Sequence, residues 1–150
     1  MTTDICRATV ADLDAVAPLF DAYRQFYGQP SDVPRARTFL AERLANGESV
    51  VLIAERESQA VGFTQLFPMF SSVRTARIWV LNDLFVAVDA RRAGVARGLL
   101  DAAADFARSD GAARIVLETS IDNHAARALY RRAGWLEESN QWYALPLVDD

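Results

Sequence analysis

Leu84-Phe85-Val86-Ala87-Val88-Asp89-Ala90-Arg91-Arg92-Ala93-Gly94-Val95-Ala96-Arg97-Gly98-Leu99-Leu100 carries an apolar strand into a short turn, and the turn opens directly into an amphipathic helix. The small residues Ala93, Gly94 and Ala96 let a ligand come close to the backbone there. The first amides of a helix have no partners inside it and sit at the positive end of its dipole. Such an end receives a phosphate or pyrophosphate readily, and Arg91, Arg92 and Arg97 add fixed positive charge beside it. Two other phosphate-binding signatures fail on spacing. A P-loop needs G-x-x-x-x-G-K followed by Ser or Thr, and the chain has no lysine. A dinucleotide fingerprint needs G-x-G-x-x-G, and this segment offers only Gly94 and Gly98, four apart. Taken alone, the segment also fits an ordinary strand-turn-helix with a packing glycine.

The pattern on either side places this segment in a mixed sheet. Upstream, residues 77–86 read as a long strand carrying Ile78, Val80, Leu84 and Val86, and residues 50–55 and 60–67 read as a hairpin. Before these, a short strand over 5–8 is followed by a helix over 12–27, with Leu13, Val16, Phe20, Tyr23 and Tyr27 at helical spacing. A second helix follows over 34–45, opened by Pro34 and stopped by Asn46-Gly47. Downstream, the helix over 94–108 ends before Gly111, residues 114–119 form an apolar strand, and a helix over 123–133 stops at Gly134. Residues from 136 on and 142–147 read as closing strands. The order β-α-α-β-β-β-α-β-α-β-β joins an antiparallel meander to β-α-β crossovers. That order predicts an α/β fold of mixed α+β kind, with a central, mostly antiparallel sheet of about seven strands flanked by about four helices.

The 150 residues suit one domain over 1–150. A 51% hydrophobic content with few glycines and prolines marks a globular chain rather than a disordered one. No basic segment followed by an apolar run opens the chain, and no apolar stretch approaches a membrane span, so no membrane association is expected. One cysteine, Cys6, excludes an internal disulfide and points to a cytoplasmic setting. A net charge of −4, with arginines interleaved among acids, lacks the basic face of a nucleic-acid binder. No His/Cys/Asp cluster has metal spacing, so no metal is expected.

Two motifs carry a resemblance. Arg91-Arg92-Ala93-Gly94-Val95-Ala96 fits Arg/Gln-x-x-Gly-x-Gly/Ala, the coenzyme A signature of the GNAT superfamily of N-acetyltransferases. Asn123-His124-Ala125-Ala126-Arg127-Ala128-Leu129-Tyr130-Arg131-Arg132-Ala133-Gly134-Trp135 resembles the superfamily's second motif, Asn-x-x-Ala-x-x-Leu-Tyr-x-x-x-Gly-Phe/Trp. The motifs stand in the superfamily's order with one strand between them, and the resemblance covers nearly the whole chain. Phe63 to Pro68, Phe70-Ser71-Ser72 and Trp79 to Val86 resemble a branch with histone, polyamine and D-amino-acid acetyltransferases, whose members form dimers or larger assemblies. A homodimer is therefore expected.

The resemblance implies an acetyl-CoA-dependent enzyme and a set of site residues. Acetyl-CoA would lie between the strands over 77–86 and 114–119. Backbone groups near Phe85, Val86 and Val88 would pair with the pantetheine arm, and the segment Arg91, Arg92, Ala93, Gly94, Val95, Ala96 and Arg97 would hold the pyrophosphate. Asn123 would hydrogen-bond the cofactor. Tyr130 would sit near the thioester sulfur and protonate the departing thiolate. A deprotonated amine would attack the thioester directly, without a covalent enzyme intermediate. The superfamily often has glycine where Arg92 stands.

Other residues are read from their own chemistry. Asn82 and Asp83 interrupt an apolar strand, and Asp is unfavourable in a strand and costly to bury. Asp83 is a candidate general base or ammonium anchor; it reads equally as a bulge residue satisfied by backbone amides. Glu118, expected on the neighbouring strand, is a rival. Tyr23, Phe26, Tyr27, Phe67, Phe70 and Trp79 are candidate walls of an acceptor pocket, although the first three also fit a helix's buried stripe. Cys6 reads as core, and His124 as exposed. Three functions remain open: acetylation of a small-molecule amine, acetylation of a protein lysine or N-terminus, and acyl-CoA sensing without turnover. Tyr130 argues against the last, and the lack of a peptide-holding extension favours the first.

Overall fold

A computed structural model describes residues 2–149. The chain divides into two compact units, Met1–Glu118 and Thr119–Asp150. In the first, five strands form one sheet in the order β1-β2-β3-β4-β5: β1 Asp4–Arg7, β2 Val50–Arg56, β3 Gln59–Ser71, β4 Ala76–Val86 and β5 Arg114–Val116. The first three neighbouring pairs are antiparallel and β4–β5 is parallel. The helices of this unit are α1 Leu13–Phe26, α2 Val33–Ala45 and α3 Val95–Ser109; short 3-10 turns at Val10–Asp12 and Val88–Ala90 lead into α1 and follow β4. The second unit holds α4, His124–Arg132.

Helices cover both sheet faces, which is why β2 and β3 read as near-continuous apolar runs. One face packs α1 and α2 through Leu13, Val16, Phe20, Ala36 and Leu40 against Val51, Ile53 and Phe63. The other packs α3 through Val95, Leu99, Leu100 and Ala103, all buried. Each fully buried leucine contributes about 1.5–3 kcal/mol. Gly62 makes the approach of α3 possible: a Cβ there would stand 3.0 Å from the Phe85 carbonyl oxygen and 3.3 Å from Leu99 and Val95.

The mixed α/β fold is as expected; among the described residues there are four α-helices, and five strands rather than about seven. Residues 136–149, including 142–147, carry the alternation of a strand yet, among the described residues of the second unit, form no ladder, and within that unit Leu136, Trp142, Tyr143, Leu145 and Leu147 are exposed. Alternation shows which side chains would share a face; a strand also needs a hydrogen-bonding neighbour. The expected strand over 114–119 stops at Val116 for the same reason. Cys6 is exposed rather than core, because β1 is an edge strand and Cys6 points outward. Burial of the thiol, then the nearby Glu55 carboxylate, still push its pKa up. Among the described residues no helix is long and apolar enough to cross a membrane.

Candidate active site

β3 and β4 stay in antiparallel register from Gly62–Val86 to Gln65–Asp83, then slip: Leu66 pairs with Leu81, leaving Asn82 as the extra residue of a bulge. The bulge turns Asp83 to the α1 face, the face of Gln65 and Phe63. Asp83 is only 4% exposed. Its Oδ2 accepts from Gln65 Nε2 at 2.6 Å and its Oδ1 from Asn82 Nδ2 at 3.0 Å. The Tyr23 hydroxyl of α1 bonds the same side chain and donates to the Asn82 carbonyl at 3.4 Å. Side chains, not backbone amides, therefore satisfy this bulge aspartate. Burial raises the Asp83 pKa, and the bonds from Gln65, Tyr23 and Asn82 pull it back down. A carboxylate with a raised pKa accepts a proton more readily, as a general base must.

Aromatic rings pack around Tyr23, which bonds this carboxylate. Tyr23 packs against Phe63 and Phe85 with centroids 5.8 and 6.2 Å apart, and Tyr27 meets Tyr23 at 5.1 Å. Tyr27 and Phe26, at the end of α1, are exposed rather than part of a buried stripe. Trp79 lies elsewhere: it is buried against Phe106 and donates to Asp110, so it is not a pocket wall. Phe70 is exposed under the Arg77 guanidinium. Glu118 is exposed and lies beyond the end of β5, off the strand on which it was expected.

The turn after β4 has the form the sequence implied. Val86 is buried, Phe85 is half-buried and Val88 is exposed in the 3-10 turn. Arg92 and Gly94 both have positive φ, 65° and 79°. Gly94 is the N-cap of α3, and no side chain caps that end. The first bond of the helix runs from Gly98 N to Gly94 O, so the amides of Gly94, Val95 and Ala96 precede it. A Cβ built on Gly94 would meet nothing within 4 Å. This open cradle beside Ala93 and the Arg91, Arg92 and Arg97 side chains suits a pyrophosphate. In this structure Arg91 folds back: its Nε donates to the Val86 carbonyl at 2.9 Å and its guanidinium lies 5.5 Å from the centre of the Phe85 ring. Arg97 pairs with Asp101 one turn along.

In the second unit Asn123 is the N-cap of α4, its Oδ1 accepting from Ala126 N at 3.2 Å. Tyr130 is half-buried on the same helix with its ring 6.4 Å from that of Trp135, whose amide closes onto the Tyr130 carbonyl at 2.9 Å. His124 is exposed. Among the described residues no group of three or more His, Cys, Asp or Glu could hold a metal ion.

Sequence reasoning did not single out Gln65 and Ser49 as part of the site. Gln65 stood in view as an amide inside the apolar run Phe63-Thr64-Gln65-Leu66-Phe67, but its partners were visible only once the register of β3 and β4 was known.

Residues 16–135 match the model of the acetyltransferase (GNAT) family. The chain is 48% identical over 136 residues to the uncharacterized N-acetyltransferase YhfO of Bacillus subtilis, covering 91% of each. It is 36% identical to a probable acetyltransferase of Haemophilus influenzae, over 76% of this chain and 79% of that one. A crystal structure of a probable acetyltransferase superposes with a TM-score of 0.92 at 43% identity, covering 98% of this chain and 99% of its own.

Proposed function

The chain belongs to the GNAT family of acetyltransferases, and from that premise we propose that it transfers the acetyl group of acetyl-CoA to the primary amine of a small molecule, with Asp83 as proton acceptor. Acetyltransferases of this family use acetyl-CoA as co-substrate, and the open, uncapped start of α3 supports its pyrophosphate binding there. The observation that carries the amine reading is the buried Asp83 carboxylate bonded by Tyr23, whose ring packs with those of Tyr27 and Phe85. An ammonium is attracted both to a carboxylate and to aromatic faces.

The acceptor ammonium gives a proton to Asp83, directly or through water. The freed nitrogen lone pair attacks the thioester carbonyl carbon, forming the C–N bond and a tetrahedral oxyanion. The nitrogen loses its second proton to solvent. The oxyanion collapses, the C–S bond breaks, and the CoA thiolate takes a proton from the Tyr130 phenol. The role of Tyr130 rests on its place in the second motif.

A panel of polyamines, amino acids, amine-bearing drugs and a lysine peptide, incubated with acetyl-CoA and followed by free thiol release, tests the reading. At least one small amine is expected to turn over. Asp83→Asn is expected to lower that turnover by roughly 10²–10⁴-fold, most severely at low pH, with the KM for acetyl-CoA unchanged. Turnover of the peptide alone would sink the small-amine assignment. A wild-type pH–rate curve in Asp83→Asn would sink the base assignment.

A further inference from the structure

Gln65 is a neutral amide with no exposed surface, placed in the middle of an apolar strand. Such a group is costly to bury unless both its ends are bonded, and here both are. Its Nε2 donates to Asp83 Oδ2 at 2.6 Å, and its Oε1 accepts from the Ser49 hydroxyl at 2.8 Å. Ser49, just before β2, is itself buried. The three side chains form one hydrogen-bonded series from the residue before β2 through β3 to β4, with the register beside the bulge setting Asp83 opposite Gln65.

The direction of these bonds follows from the chemistry of the end group. An ionised carboxylate only accepts, so the nitrogen of the Gln65 amide must face it. The amide oxygen then faces away and needs a donor, which a serine hydroxyl supplies. Gln65 and Asn82 both present N–H donors to Asp83, so a proton on the carboxyl competes with them for its oxygens and only the Tyr23 hydroxyl can turn to accept it. The arrangement therefore suits the carboxylate better than the carboxylic acid. We propose that Gln65, locked in orientation by Ser49, is a positioning residue that holds Asp83 in its ionised, proton-accepting form. This rests on the reading of Asp83 as general base.

The neighbours of Asp83 make the assignment specific. Burial drives its pKa up; Gln65 supplies the largest opposing effect, ahead of Tyr23 and Asn82. Among the described residues no charged side chain contributes. From β3 the group facing it is the neutral Gln65, from β4 the neutral Asn82, and from α1 the titratable Tyr23. The carboxylate is thus kept available by neutral donors, and a cationic acceptor meets no competing positive charge there.

The test is a titration of Asp83 followed by carbon NMR of the aspartate carboxyls, with Asp83→Asn used to assign the signal. It is run on the wild type, Gln65→Leu, Ser49→Ala and Ser49→Thr, alongside the pH profile of kcat/KM for the best amine. A hydrogen bond to a charged group is worth enough to move a pKa by about one to two units. The Asp83 midpoint is expected to rise by that amount in Gln65→Leu and by less in Ser49→Ala, and to stay near wild type in Ser49→Thr, which keeps the hydroxyl. The acid limb of the rate profile should move with it, and the KM for acetyl-CoA should not. A folded Gln65→Leu protein with the Asp83 midpoint in place overturns the proposal, whatever the acetylation rates. A midpoint that moves while the rate profile stays put supports the hold of Gln65 on the carboxylate and overturns the base assignment instead. If Gln65→Leu does not fold, Ser49→Ala, which removes only a hydroxyl, decides by the same criterion.

Discussion

Two residues of the turn after β4 take the backbone conformation that glycine favours, and only one of them is glycine. Gly94 has φ 79° and Arg92 has φ 65°. The sequence marked Arg92 as a departure from the superfamily, in which glycine is common at that place, and the dihedral explains the preference. A left-handed backbone costs an L-residue with a Cβ roughly 1–2 kcal/mol, and Arg92 bears that cost while adding a cation beside the cradle. At Gly94 the surroundings are open, so a side chain added there meets strain in φ and no steric wall. That separates stability from binding. Gly94→Val is expected to lose about 1–2 kcal/mol of stability in denaturant, yet remain folded at room temperature. Its valine would fill the space in which the pyrophosphate is proposed to lie. Calorimetry should therefore show acetyl-CoA affinity down by roughly tenfold or more, that is by at least about 1.4 kcal/mol. Unchanged affinity in the folded variant would remove this turn from the binding site.

Between α1 and α2 one carboxylate fixes the connection, and its electrostatics run opposite to those of Asp83. Asp21 is buried near the end of α1. Its Oδ1 accepts from Asp32 N at 2.7 Å, and its Oδ2 accepts from Ser31 Oγ at 2.7 Å and Gln25 Nε2 at 3.0 Å. Asp32 in turn caps α2 through Arg35 N. The Asp32 amide, then the Ser31 hydroxyl, hold the Asp21 pKa below its usual value, whereas burial holds that of Asp83 above it. Below the unfolded value of about 3.9 the unfolded chain carries more protons at Asp21 than the fold does, so the Asp21 contribution is present above that pH and is lost as pH falls through the folded pKa. At Asp83 the fold carries the extra proton, so stability falls as pH rises from about 3.9 through its folded pKa. Chemical denaturation across pH 3–7 is expected to show Asp21→Asn destabilised by about 1.5–3 kcal/mol near neutrality, with the deficit shrinking in acid. Asp83→Asn should gain on the wild type as pH rises. Parallel curves for either variant would refute its assigned shift. The helices themselves were legible from periodicity and stop signals. The clamp between them was not, because Asp21 lies on the buried side of α1 and its partners follow only from how the loop at 28–32 folds back.

At the scale of the molecule, reading succeeded where periodicity and local punctuation decide the structure and failed where a distant partner does. The meander β2-β3-β4, the turn into α3 and the helix α4 all follow from apolar spacing with Gly, Pro and Asn breaks, and each lies within a few residues of its expected bounds. The bulge at Asn82 was weighed but not fixed, since a register slip of one residue belongs to the pairing and not to either strand alone. The end of the chain shows the same limit more strongly. Residues 136–149 alternate like strands but, among the described residues of the second unit, form no ladder there, and within that unit Trp142, Tyr143, Leu145 and Leu147 are 78%, 90%, 82% and 87% exposed. Single exposed apolar side chains are ordinary, but a run containing Trp, Tyr and two leucines within six residues is the composition of a contact surface. Burying such side chains contributes about 25 cal/mol per Å², so water is a poor final environment for them. The superfamily resemblance leads us separately to expect a homodimer. Sedimentation velocity at micromolar concentration should then give twice the mass of one chain. A wild-type protein that sediments as one chain at every concentration tested would refute the expectation.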